Sequence, residues 1–199
     1  MVTKAAIVAI LVTLLFIVSM GAIFYLEMPI TASPDVMILT ESDVPGWEPN
    51  STGDFGFGYG YHGNPPKSLS DSLTGFYNES LGSAMNIAVK SFRLNLDAEN
   101  FFYALTVGSG YQALDLYVNG VDEQSVGTFS SPVQNHSDYS QFRTGYFWYF
   151  DFRIDNVVVI LQFGQFADNH IIDQTQIQEW MNEIVSLQVQ KIQQFSIHY

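Results

Sequence analysis

Hydrophobic positions fall along the chain in three patterns. From Ala5 to Leu26 they run on without a charged residue, AAIVAILVTLLFIVSMGAIFYL. Between residues 53 and 166 they alternate with polar or glycine positions in several short stretches. From Ile177 to Ile192 they recur every three or four residues. A continuous run predicts a helix that is apolar all round, alternation predicts strands, and the last spacing predicts an amphipathic helix.

The first run decides where the rest of the chain can be. At ~1.5 Å rise per residue its length reaches ~33 Å, which matches a hydrocarbon core of ~30 Å. The apolar core of a secretory signal peptide is shorter, ~7–15 residues. Residues 5–26 therefore read as a transmembrane helix. Cleavage near Ser19-x-Gly21 or Ala32, or a prepilin-like leader ending at Lys4, is the alternative. Lys4 and the amino terminus precede the run, whereas Glu27 and Asp35 follow it. Positive charge stays in the cytoplasm. This predicts residues 1–4 inside, 27–36 as a linker containing Pro29 and Pro34, and 37–199 as an extracellular domain.

Within that domain, Thr40 to Asp43 offers a helix cap that Pro45-Gly46 cuts short, and Trp47 reads as a core anchor. Phe55, Phe57, Tyr59 and Tyr61 alternate with glycine or aspartate, giving a strand with one aromatic face and one bare face. Ordinary core aromatics are the plain reading; a binding surface is the other. Strands are predicted at Leu73–Tyr77 and Ala84–Leu94, then a helix capped by Asp97 over residues 98–106. Residues 120–131 read as turn-rich. From Phe142 to Phe152 aromatics alternate along one strand. Asp155-Asn156 makes a tight turn, and Val157–Leu161 returns apolar on both faces, the mark of a central strand. Asp173 and Gln176 form a capping-box pair for the last helix, whose apolar stripe is broken only by Gln188. The fold class is thus α+β: an N-terminal transmembrane helix, then a mostly antiparallel sheet packed with a mid-chain helix and a C-terminal helix.

Charge and composition narrow the chemistry. Seven Lys and Arg stand against twenty Asp and Glu. Without Lys4 the external part carries −14, a balance that repels nucleic acid and anionic headgroups. There is no cysteine, which excludes disulfides, thiol catalysis and cysteine metal sites. Asn50, Asn78 and Asn135 begin N-x-Ser/Thr sequons, possible glycosylation sites outside the cell. His62, His136, His170 and His198 have no metal-binding spacing. Gly56-x-Gly58-x-Gly60 runs into Pro65-Pro66 rather than into a helix, so it lacks the context of a phosphate loop. No catalytic residue, metal or cofactor is expected, and the chain does not read as an enzyme.

The order of elements runs from an entry turn at Leu39-Thr40 to Gly46-Trp47 through strands, a helix, a hairpin turning at Arg153–Val157 and a last helix. It resembles membrane-tethered ectodomains and lipoproteins with a Mog1/PsbP-like α+β sandwich, and also the extracellular sensor domains of some bacterial kinases, which usually carry cysteine pairs. The resemblance implies binding or assembly rather than catalysis. The expected function is a single-pass, membrane-anchored domain that binds or scaffolds a protein partner in the cell envelope. The alternative is a pilin-like subunit with its N-terminal helix in a filament core.

Overall fold

A computed structural model describes residues 4–26, 29–50, 59–107, 112–135, 138–166 and 174–196. Helix α1 spans Lys4–Leu26 and α2 is a single turn at Pro34–Met37. The strands are β1 (Glu48–Pro49), β2 (Tyr59–Tyr61), β3 (Ser70–Asn78), β4 (Ser83–Ser91), β5 (Leu105–Val107), β6 (Gln112–Ala113), β7 (Glu123–Asn135), β8 (Asp138–Ile154) and β9 (Val157–Phe166). Helices α3 (Asn95–Ala104) and α4 (Gln174–Gln193) complete the order.

Seven strands form one antiparallel sheet in the order β1-β3-β4-β9-β8-β7-β6, and β2 pairs with β5 beside it. Strand β9 takes the central place that its two apolar faces predict. Val157, Val159, Leu161 and Phe163 point to one side with Met85, Ile87 and Val89 of β4, and with Trp148, Phe150 and Phe152 of β8. Met181, Ile184, Val185, Val189 and Ile192 of α4 close over that side. Val158 and Ile160 point the other way, under Ala98, Phe101 and Phe102 of α3. The sheet is thus the middle layer of three. On the α4 side the ring of Trp47 stacks on Trp180 at 4.6 Å, and Phe163 meets both, so Trp47 anchors the core as its place after the turn suggests.

Local chemistry sets the turns. Thr40 and Asp43 form a capping box around a 3-10 turn at Glu41–Asp43, and Gly46 takes a left-handed φ of 85° just after it. Between Ile154 and Val157 the loop is Asp155-Asn156, with Asp155 at φ 51°. Asn156 does something else there: its buried side-chain amide bonds to Ile30 and Phe92.

The structure departs from the sequence reading in several places. Residues 123–135 form a long strand rather than turns. Their alternation is weak, and pairing with the 17-residue β8 supplies the strand. Helix α3 begins at Asn95 with Leu94 at its cap; Asp97 lies in the first turn, where its charge suits the helix dipole. The stretch read as a linker over 27–36 packs onto the domain from Ile30, with Ile30 and Pro34 buried. The capping residue proposed at Asp173 lies outside the described residues.

Helix α1 has the predicted length and place. Its side chains are described for residues 9–20, a stretch shorter than a bilayer crossing; among the described residues no helix is long and apolar enough to cross a membrane. The expected span over 5–26 therefore rests on the sequence of that helix, not on its described part.

Candidate functional site

The side of the sheet that faces α3 carries the polar chemistry. Strand register places Gly75, Asn86, Gln162, Tyr149 and Gly127 in one row across β3, β4, β9, β8 and β7. Asn86, Gln162 and Tyr149 are buried. The Gln162 amide donates to the Tyr149 hydroxyl at 3.2 Å, while its Oε1 has no hydrogen-bond partner among the described residues. Burial first, and then the nearby Asp151 carboxylate, push the Tyr149 phenol well above its ordinary pKa. It stays neutral and works as a hydroxyl. At Gly75 a Cβ would lie 2.9 Å from the Asn86 Oδ1, so a larger residue there would push on that amide.

One row nearer the β8–β9 turn, the sheet opens into a cleft. Tyr61, Asp71, Ser72, Leu73, Ala88, Lys90 and Ile160 line a cavity of about 320 Å³. Its floor is the register pair Leu73–Ala88 with Ile160 beyond. Lys90 and Asp71 face each other across β3 and β4 at 3.0 Å. The carboxylate is 60% exposed and the ammonium 19%, so the acid is the group that a ligand meets first. Tyr61 forms the opposite wall, its ring tilted against Phe101 at 5.4 Å. The cavity is at the small end of ligand pockets, which run from about 300 to 1,000 Å³. Its lining combines one ion pair and two hydroxyl-bearing residues, Ser72 and Tyr61, with the apolar Leu73, Ala88 and Ile160. No histidine or cysteine lines it, and among the described residues no cluster of acids and histidines could hold a metal ion.

The sequence-derived sites separate here. Of the proposed aromatic surface, Phe55 and Phe57 lie outside the described residues. Tyr59 and Tyr61 belong to β2, paired with Val107 and Leu105. Tyr61 is exposed and lines the cleft. Among the sequons, Asn50 donates its backbone N–H to Gly75. The Asn78 side chain is occupied: its Nδ2 donates to the Gly46 carbonyl at 3.0 Å, and its Oδ1 accepts from Ser80 and Leu81. A glycan on Asn78 would replace one of the two Nδ2 hydrogens and leave a single N–H for the bond to Gly46. Asn135 ends β7, and its side chain lies outside the described part. The buried row was not found from sequence, although its signal was present: Tyr149 and Asp151 fall on the second face of the alternating strand, opposite the aromatic face that drew the reading.

No model of a known protein family matches the chain, and no curated protein matches it in sequence.

Proposed function

We propose that the chain is a single-pass membrane protein whose α+β domain stands outside the cell and binds or scaffolds a protein partner of the envelope. The observation that carries the reading is α1. Its large apolar side chains from Ile10 to Val18 are exposed on every side, from 52% at Leu14 to 71% at Leu15. Burying one such side chain is worth about 1.5–3 kcal/mol, so a helix with this many requires cover that the domain does not provide. The two polar side chains in its described part turn inward to the backbone. Thr13 Oγ1 donates to the Ala9 carbonyl and Ser19 Oγ to that of Leu15. A hydroxyl satisfied within its own helix suits lipid, where no water can bond it.

The domain supports the binding half of the reading. Its cleft offers an exposed acid, a lysine and an aromatic wall, and its surface is strongly acidic outside the helix. An alkaline wash of membranes from expressing cells tests the anchor. The intact chain should remain in the pellet, and a chain lacking residues 1–26 should move to the supernatant. An intact chain that washes off would defeat the reading. Amino-terminal sequencing that finds cleavage after Lys4 would point instead to a filament subunit.

A further inference from the structure

We infer that one end of the domain, the end bearing the β8–β9 turn, rests on the bilayer surface; this depends on α1 being the membrane anchor. The first observation is the tether. Helix α1 ends at Leu26, and Ile30 is already fixed to the domain. Its N–H donates to Asn156 Oδ1 at 2.6 Å, and its carbonyl accepts from Asn156 Nδ2 at 3.0 Å. The same Nδ2 donates to the Phe92 carbonyl at 2.6 Å. Four residue steps from 26 to 30 span at most ~14 Å. The headgroup layer beyond the hydrocarbon takes up about 5–7 Å of that. The point where the chain meets the domain at Ile30 therefore cannot stand more than about 9 Å clear of the headgroups.

The second observation is what this end displays. Leu69 is 73% exposed, Leu96 60%, Leu94 54% and Phe195 37%. They come from separate parts of the chain, and the hydrogen bonds bring them to the same end of the domain. Leu69 N–H donates to the Ser91 carbonyl, and Ser91 pairs with Val157 just after the turn. Phe92 N–H donates to Asn156, which sets Leu94 and Leu96 beside the turn at the start of α3. Ser196 Oγ donates to Asp155 Oδ2, which fixes Phe195 at the same end. Exposed apolar side chains scattered singly need no explanation. These gather where the tether holds the domain nearest to lipid.

Lys67 and Arg93 are exposed beside Leu69 and Leu94. Apolar side chains with cations next to them are the combination that seats a surface in the interface, the first in the acyl boundary and the second among phosphates. Acids are present at this end too: Asp155 in the turn accepts from Ser196 Oγ, Asp97 lies in the first turn of α3, and two more are paired with one cation. Arg153 holds Asp122 at 3.1 Å and Glu123 at 2.8 Å. The opposite end, at the β3–β4 turn, exposes Glu79 and Ser80 instead. Seated this way, the strands stand up from the membrane, and the β3–β4 turn is directed away from it.

The chain contains no native cysteine, so single labels can be placed cleanly in the full-length protein. Phe16→Cys, Leu96→Cys, Phe195→Cys and Ser80→Cys variants would be labelled with an environment-sensitive fluorophore in phosphatidylcholine nanodiscs. Quenching would be read with nitroxide on the headgroup and, separately, within the acyl chain. The expected result is quenching of Leu96 and Phe195 labels by the headgroup nitroxide several-fold above that of Ser80, with Phe16 quenched by the acyl-chain nitroxide. Leu96 and Phe195 no more quenched than Ser80, with Phe16 still quenched, would overturn the seating and leave the anchor standing. An unquenched Phe16 would overturn the anchor itself, and the seating with it.

Discussion

At the scale of single residues, two buried side-chain amides hold the approach to the domain. Gln188 is fully buried in the apolar stripe of α4. Its Nε2 donates to the Met37 carbonyl at 2.6 Å, and its Oε1 accepts from Leu39 N–H at 3.2 Å. A glutamine in that stripe is legible in the sequence as a break. Its use is not, because its partners lie some 150 residues away. Gln188→Leu keeps the volume and leaves two buried backbone groups unpaired, at about 1–3 kcal/mol each. Chemical denaturation should show a loss of that size, and an unchanged midpoint would mean that the pairing contributes nothing.

Asp43, a half-buried carboxylate, fixes the same approach through Lys191. Burial works against its carboxylate. The bond and charge of Lys191, with the bonds from Thr40, outweigh that and hold its pKa below the ordinary 3.8. A carboxyl whose folded pKa is lowered stabilises the fold fully above its unfolded value and loses that stabilisation as pH falls through the folded value. The difference in thermal midpoint between the native chain and Asp43→Asn should thus be full above pH 3.8 and shrink below it. A difference that stays constant through that range would contradict the assignment.

At the scale of elements, legibility follows the strength of the local pattern. The β8–β9 hairpin, the central place of β9 and the stripe of α4 are all readable, because β8 alternates over many residues, β9 is apolar on both faces and α4 keeps helical spacing with one break at Gln188. Strand β7 was not, since Ser125, Gly127 and Thr128 carry no apolar alternation and gain their strand from β8. The docking of Ile30 was hidden for the same reason as the clamp at Gln188: a side chain from a distant turn makes it. Two measurements follow. Trp148 is 5% exposed and touches Phe163, so Trp148→Ala should cost about 3–5 kcal/mol in denaturation. A small loss would show that this face of β8 tolerates a cavity. Asn156→Ala should raise hydrogen exchange at the Ile30 amide far more than at β4 and β9, because it removes the only side chain seen to hold Ile30 among the described residues. Equal rises throughout would make Asn156 a global stabiliser rather than a local pin.

At the scale of the whole molecule, the entry segment over residues 30–49 crosses the domain from one end to the other. It enters beside the β8–β9 turn at Ile30 and crosses the α4 face through Met37 and Leu39. It reaches the opposite end at β1, where Glu48 pairs with Tyr77. The buried row and the cleft lie on the other face, and neither was readable as a site, because each is assembled by register between strands far apart in sequence. With α1 in the membrane and the turn end against it, the far end at the β3–β4 turn remains open to a partner. Everything in this arrangement depends on α1 being an anchor with the domain outside. The most direct measurement is labelling of Ser80→Cys in intact cells with a membrane-impermeant maleimide, followed by recovery of the chain from washed membranes. Labelling without permeabilisation, on protein retained in the membrane, is the predicted result. Labelling that appears only after the cells are opened would place the domain inside and contradict it.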